Sequence, residues 1–400
     1  MLILFTFSNN YSSDMPIKIP HSSIINRSKL QDITNFILKR KVRFLIPVII
    51  LGIFKLHASI WVYTKSLREG TLQLPQIGVL GAIEPQWLYI FSAWDSSWYV
   101  NLAGSYTFAR TFFPGYPFLI RFLNYFMNNY WLSAFILSIT LGFVLLPIFQ
   151  AIAEEYMKKS EALYGTIIMS FFPYVFVFTT VSYSESLFLL AVLATWYFYL
   201  KDRILFASIC SIVATLTKLY GILIILPILT DLLLHRKWKK AAIALASPVL
   251  ILTIIIPLFP KKLLERMVLE MNAATWTTST EYFGTFWFKD YLTSVFTAAH
   301  PTVFFNFYQA FALAFIVFVG YLVINSTRTD WRLGFYSIVM FVVIILFGFV
   351  NGLPRYLSFI FPIWLVIRTK DIATLVILVF LFYMHSLILW YEFLWTMYPI

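Results

Sequence analysis

The chain has 400 residues, 60% hydrophobic, 20% aromatic and only 12% charged, with a net charge of +12 and a mean hydropathy of +0.81. Soluble domains carry about 25% charged residues, so this composition excludes an ordinary soluble globular protein. A single cysteine, Cys210, excludes an intrachain disulfide, and five histidines without an H-x-H, H-E-x-x-H or D-x-D pattern give no support for a metal site.

Residues 1–41 are rich in Ser, Asn and Lys, end in Lys39-Arg40-Lys41, and are expected to form a cytoplasmic tail. The opening MLILF is too short for the apolar core of a secretory signal. Apolar runs then recur at about 42–63, 131–153, 162–180, 184–200, 204–217, 219–234, 241–259, 302–324, 332–350, 355–368 and 372–391. Runs this long and unalternating are helices rather than barrel strands, which predicts an all-α polytopic integral membrane protein of about eleven transmembrane helices. The pair 204–217 and 219–234 also reads as one broken helix pair or a re-entrant segment.

With the N-terminus inside, the short Lys/Arg-rich connectors KDR, HRKWKK and IRTKD all fall on the inner side. Membrane topology thus accounts for the positive charge without a nucleic-acid partner. Two long segments, 64–130 and 260–301, then lie outside. Loops this long in a compact bundle are usually functional or structured in their own right. Without internal repeats or a soluble appendage, residues 42–400 read as a single transmembrane domain.

The first outer loop holds Trp94 to Pro117, WDSSWYVNLAGSYTFARTFFPGYP, with one acid, Asp95, between Trp94 and Trp98. On a helix the two tryptophans share a face, and such a helix suits the membrane interface, rings at headgroup level and the carboxylate toward a cavity. The alternative is an aromatic anchor whose acid is simply solvated. Lys55, near the outer end of the first span, reads as a lysine snorkelling to the interface. Tyr183-Ser184-Glu185-Ser186 opens the fourth span, either as a plain helix start or as a second functional acid.

Lys218, in ATLTKLYG, lies between two short spans and is either an anion ligand or an interfacial lysine, with Gly221 relaxing the backbone beside it. Arg355 follows Pro354 at the start of the tenth span, as a fork donor for phosphate or a headgroup contact. The outward side therefore gathers two acids, two cations and many rings. An anionic lipid head bearing a sugar matches that set. Rings stack on sugar C–H surfaces, Lys218 and Arg355 hold a phosphate, and a carboxylate takes a hydroxyl proton.

The stretch FSAWDSSWYVNLAGSYTFARTFFPGYPFLIR resembles the first outer-loop signature of the PIG-V family, the second mannosyltransferases of glycosylphosphatidylinositol assembly and their prokaryotic relatives. The matching residues are Trp94-Asp95, Ser105-Tyr106 (the family shows Gly-Tyr) and Phe112-Phe113-Pro114-Gly115-Tyr116-Pro117. VSYSESLF, Val181 to Phe188, is similar to the family's Gly-Tyr-Ser-Glu-(small)-Leu-Phe. In Ala214 to Gly221, Lys218, Leu219 and Tyr220 stand where the family shows Arg-Ser-Asn before its Gly. Pro354-Arg355-Tyr356-Leu357 is similar to the family's Pro-Arg-Tyr. The matches run in the family's order over residues 91–360.

The resemblance implies a GT-C-type glycosyltransferase bundle whose long first outer loop carries interfacial helices and whose Asp95 is the catalytic base. The expected reaction moves mannose, with inversion, from a polyprenyl (dolichyl) phosphate donor to a glycan or glycolipid acceptor, without cofactor or metal. Lys218 and Arg355 would bind the donor phosphate. Trp94, Trp98, Tyr116, Tyr183 and Glu185 would contact sugar or acceptor, Glu185 orienting the acceptor or pairing with Lys218. The setting is the cell membrane of a prokaryote or the endoplasmic reticulum membrane of a eukaryote, with the active site on the outer face. A flippase or transporter of lipid-linked glycans is the alternative, and a structural subunit of a glycan-transfer complex a third.

Overall fold

The computed structural model describes residues 41–70, 83–105, 112–258, 303–347 and 352–395, and every regular element among them is helical. Two units partition the chain, Met1–Lys41 and Val42–Ile400, and the elements named below belong to the second. Outside the described residues lie nearly all of the expected tail, the loop 260–301, and residues 106–111 of the first outer-loop motif, Tyr106 included.

Helix α1, Ile46–Arg68, begins with Pro47 in its first turn, where the missing N–H costs nothing. Leu51, Lys55, Ala58, Val62 and Ser66 form its buried stripe, while Ile49, Ile53, Leu56 and Ile60 face outward. After a 3-10 turn, Gln86–Phe91, come the short helices α2, Asp95–Ser105, and α3, Gly115–Met127. The long helix α4, Tyr130–Tyr156, is capped by Asn129, whose side chain accepts from the Leu132 amide.

The expected span 162–180 is instead two helices, α5, Lys159–Phe171, and α6, Pro173–Phe178. Pro173 is the cause, since the residue before a proline is pushed out of the helical region, and Phe172 sits at ψ 129°. Helix α7, Glu185–Leu200, is buried on nearly every side and packs chiefly between α4 and α8, Ile204–Thr217. A 3-10 turn, Leu219–Ile224, leads into α9, Ile225–Leu234, so the broken-pair reading of this region matches the backbone.

Helices α10, Trp238–Leu258, α11, Val303–Thr329, and α12, Trp331–Phe347, follow. The expected span 355–368 is not one helix either. It is α13, Leu353–Ser358, and a 3-10 turn, Phe361–Leu365. A helical Pro362 would clash with the Ser358 carbonyl, which accepts from the Trp364 indole at 2.9 Å instead. Helix α14, Ile372–Trp395, completes the described bundle.

Among the described residues, Val42–Arg68, Tyr130–Tyr156 and Ile372–Leu394 are helices long and apolar enough to cross a membrane. Their outward faces are mostly apolar, as lipid requires. Lys55 departs from the snorkelling reading. It is 2% exposed, and its Nζ donates to the Thr179 carbonyl (3.0 Å) and hydroxyl (2.9 Å). The physical reason is its position on the same stripe as Leu51, Ala58 and Val62, which turns the amine into the bundle.

One end of α7 carries Glu185 and the other Tyr199, about 21 Å apart at 1.5 Å per residue. The Tyr199 end is tied by Arg332, which donates to Asp330 at 2.6 Å and to the Tyr199 hydroxyl at 2.7 Å. Arg43 grips Glu154 through two bonds of 2.6 and 2.7 Å. The Glu185 end gathers the residues of interest.

Candidate active site

The turn before α2 places Asp95. Trp94 has φ +52°, unusual for a residue with a side chain, and its indole donates to the Phe393 carbonyl of α14 at 2.7 Å. It therefore stands outside the helix and does not share a face with Trp98, contrary to the spacing argument. The helix starts one residue later, at Asp95, where the N-terminal dipole favours a carboxylate. The Asp95 amide donates to the Tyr183 hydroxyl at 3.0 Å.

Ser184 holds the N-cap position of α7 without making a side-chain cap bond. Its hydroxyl pairs instead with that of Tyr99 at 2.8 Å, joining α2 to α7. Glu185, the first residue of α7, has a side chain only 2% exposed. Lys218 occupies the extended break between α8 and the following 3-10 turn (φ −148°, ψ 133°), and its Nζ meets Glu185 Oε1 at 3.2 Å. Gly221 permits that break by close approach rather than by unusual torsion. A Cβ there would lie 2.4 Å from the Ala214 carbonyl carbon.

Arg355 comes from α13, with Pro354 in the first turn as expected. Its Nη1 lies 3.9 Å from Asp95 Oδ2, its Nε 3.6 Å from Glu185 Oε1, and its Nη2 donates to the Tyr356 hydroxyl at 2.7 Å. The guanidinium sits over Phe178 (4.8 Å) and Tyr356 (4.7 Å). Lys218 also lies over the Tyr356 ring, at 5.7 Å. Tyr356 thus touches both cations, a role the sequence reading missed although Tyr356 sits inside the Pro-Arg-Tyr match.

Asp95, Glu185, Lys218 and Arg355 therefore converge from four separate elements, two carboxylates against two cations. The Asp95 side chain is 36% exposed, against 7% for Arg355 and 14% for Lys218. Its surroundings still strip away much of its hydration and raise its pKa above the ordinary carboxylate value. The Arg355 charge opposes that rise, the Glu185 charge adds to it, and Lys218 opposes it. Among the described residues Glu185 Oε2 and Arg355 Nε have no hydrogen-bond partner, so the cluster keeps bonding capacity unspent.

Two expected sugar contacts are struts instead. Tyr116 is fully buried, and its hydroxyl lies 2.6 Å from that of Ser138, to which it can donate, and 3.0 Å from the Ala134 carbonyl. Ser138 in turn donates to the Tyr183 carbonyl at 3.0 Å. Tyr183 is itself buried, its ring packed on Phe178 and Phe393. Neither ring has a face left for a ligand, because each is enclosed by the bundle it braces. Trp98 remains partly exposed and stacks with Phe112, ring centroids 6.1 Å apart.

Chemically, the cluster offers one accessible carboxylate that can accept a proton and two cations that can meet a developing anion. Among the described residues, no three His, Cys, Asp or Glu side chains come together as a metal site requires. No protein-family model matches the chain, and no curated protein matches it.

Proposed function

We propose that this chain is a membrane-embedded glycosyltransferase of the GT-C type, using a polyprenyl-phosphate sugar as donor. The observation that carries the reading is the meeting of Asp95, Glu185, Lys218 and Arg355, with Asp95 the accessible acid. Residues 42–400 would form one catalytic membrane domain of about eleven spans, the length of its apolar runs setting that number. The tail 1–41 would lie in the cytoplasm and the Asp95 end on the outer face. The outer-loop resemblance favours mannose as the sugar and a glycan or glycolipid as acceptor.

In this mechanism the donor's chain lies in lipid and its phosphate against Lys218 and Arg355. The acceptor oxygen attacks the anomeric carbon from the side opposite the phosphate, and its proton passes to Asp95. The bond between the anomeric carbon and the phosphate oxygen breaks, and its electron pair stays on the phosphate. The added negative charge develops beside the two cations, where fixed charges stabilise it most. A single displacement of this kind inverts the anomeric centre and needs one base. Trp98, at the rim, is suited to stack on a sugar face.

The test is transfer of labelled mannose from polyprenyl-phosphate mannose into glycolipid or glycan in membranes carrying the chain. Transfer that depends on the chain supports the reading, and its absence across lipid and glycan acceptors overturns it. Lys218→Ala and Arg355→Ala should each weaken donor use about 10-fold or more, because a charge-assisted phosphate contact is worth roughly 1.5–3 kcal/mol. Arg355→Lys should rescue only in part, since an ammonium cannot reproduce the planar fork held between Asp95, Glu185 and Tyr356. Wild-type donor kinetics in both alanine variants would remove these residues from the phosphate site.

A further inference from the structure

We propose that Lys55 is a positioning residue for Asp95, acting from α1 through Thr179 and Tyr183. The role rests on Asp95 being the base in the reading above. A lysine buried within an apolar helix is costly and needs a reason. Around its Nζ the structure gives the Thr179 carbonyl and hydroxyl and the ring faces of Phe143 and Phe176, at 5.5 and 5.7 Å. Among the described residues no carboxylate pairs with it in an ion bridge, and its place is fixed there by the Thr179 carbonyl and hydroxyl it grips.

What it grips matters. Thr179 ends α6 and opens the elbow 179–184 that leads to Glu185. Helix α4 presses the same residue, since a Cβ at Gly142 would lie 2.5 Å from the Thr179 carbonyl oxygen. Beyond Thr179 the Ser182 amide donates to the Phe91 carbonyl at 2.8 Å. Tyr183 follows, and its hydroxyl receives the Asp95 amide. A path therefore runs from the first spanning helix to the start of α2, through hydrogen bonds at its two ends and the elbow's backbone between them. Removing the amine takes away the hold on the Thr179 end of the elbow, leaving the bonds of the Ser182 amide and the Tyr183 carbonyl, and the Tyr183 hydroxyl shifts with that end.

A hydrophobic carbodiimide, which couples to protonated carboxyls, reads the position of Asp95 whether or not the chain transfers sugar. The coupling at Asp95 is followed against pH by peptide mass. The charged groups facing that carboxylate are Arg355 from α13, Glu185 from α7 and Lys218 from the α8 break, and none of these three is altered in the test; the Tyr183 hydroxyl from the elbow stands beside them and is the one titratable neighbour the test removes. In Lys55→Met the labelling midpoint should fall toward the ordinary carboxylate value, as water reaches a displaced Asp95. Tyr183→Phe should shift it in the same direction, and the double variant no further than the larger single. That non-additivity is the mark of one path.

Thr179→Val keeps the carbonyl, removes the hydroxyl, and should give a smaller shift of the same sign. It carries the test if Lys55→Met does not fold. Turnover should fall about 10-fold or more in Lys55→Met with donor KM retained, since a 1 Å misplacement can cost about 10²-fold. A wild-type midpoint in Lys55→Met or Thr179→Val, or additive shifts in the double variant, overturns the proposal. Failure of wild type to transfer sugar overturns the glycosyltransferase reading while leaving the labelling result to decide this one.

Discussion

Replacing Asp95 with asparagine should reduce sugar transfer by about 10²–10⁴-fold, the usual loss on removing a general base. Asparagine keeps the size of the side chain, the backbone N–H hydrogen bond to the Tyr183 hydroxyl and the start of α2, so folding and donor affinity should change little. Asp95→Glu should recover little, because the extra methylene displaces the base by about 1 Å and that alone can cost about 10²-fold. The raised pKa of Asp95 adds a second measurement. A base must be ionised, so turnover should fall as pH drops through a value above the ordinary carboxylate range. If Asp95 were only part of an aromatic anchor, Asp95→Asn would be silent and Trp94→Ala the damaging change, through loss of the indole bond to Phe393. Kinetics and thermal stability on the same purified samples separate the two, and a fully active Asp95→Asn enzyme ends the mechanism.

Glu185→Ala should cost about 3–5 kcal/mol of stability, the range for removing one member of a buried ion pair. The loss is large because two cations lose their counter-charge together. Lys218 lies 3.2 Å and Arg355 3.6 Å from the same oxygen, Glu185 Oε1, and neither has much access to water. Adding Lys218→Met to Glu185→Ala removes one stranded charge, so the double variant should be more stable than the single. Denaturation in matched detergent reads both. Wild-type stability in Glu185→Ala would mean that water or lipid already neutralises the cluster.

The charged members of the site were legible because an apolar chain carries few ions, and those at the ends of spans stand out. Asp95, Glu185, Lys218 and Arg355 each stand out in local sequence, and the structure links them in a chain, Lys218 to Glu185 at 3.2 Å, Glu185 to Arg355 at 3.6 Å and Arg355 to Asp95 at 3.9 Å. What local sequence does not carry is direction. Tyr116 and Tyr183 look like ligand-facing rings beside a carboxylate, yet both are enclosed, because their hydroxyls find Ala134, Ser138 and the Asp95 amide.

Lys55 shows a signal that was present and underused. Its helix has Ile49, Ile53, Leu56 and Ile60 on one side and, beside Leu51, the smaller Ala58, Val62 and Ser66 on the other, and small residues mark the face that packs on neighbouring helices. Lys55 lies on the small side. The breaks at Pro173 and Pro362 were legible in principle as well, but a reading led by hydropathy passes through prolines that are themselves apolar.

The two indole bonds that join the first loop to α14 set the order in which this protein becomes complete during synthesis. Trp94 is held by Phe393 and Trp390 by Ile90, pairs separated by 299 and 300 positions. At translation rates of about 5–20 residues per second, a ribosome needs about 15–60 s to pass from one partner to the other. Throughout that interval the nascent loop has no carbonyl for the Trp94 indole, and the turn that launches Asp95 lacks its brace. The Asp95 end is thus among the last parts of the bundle to close, and a nascent chain halted before α14 carries the charged cluster without the strap that seats it.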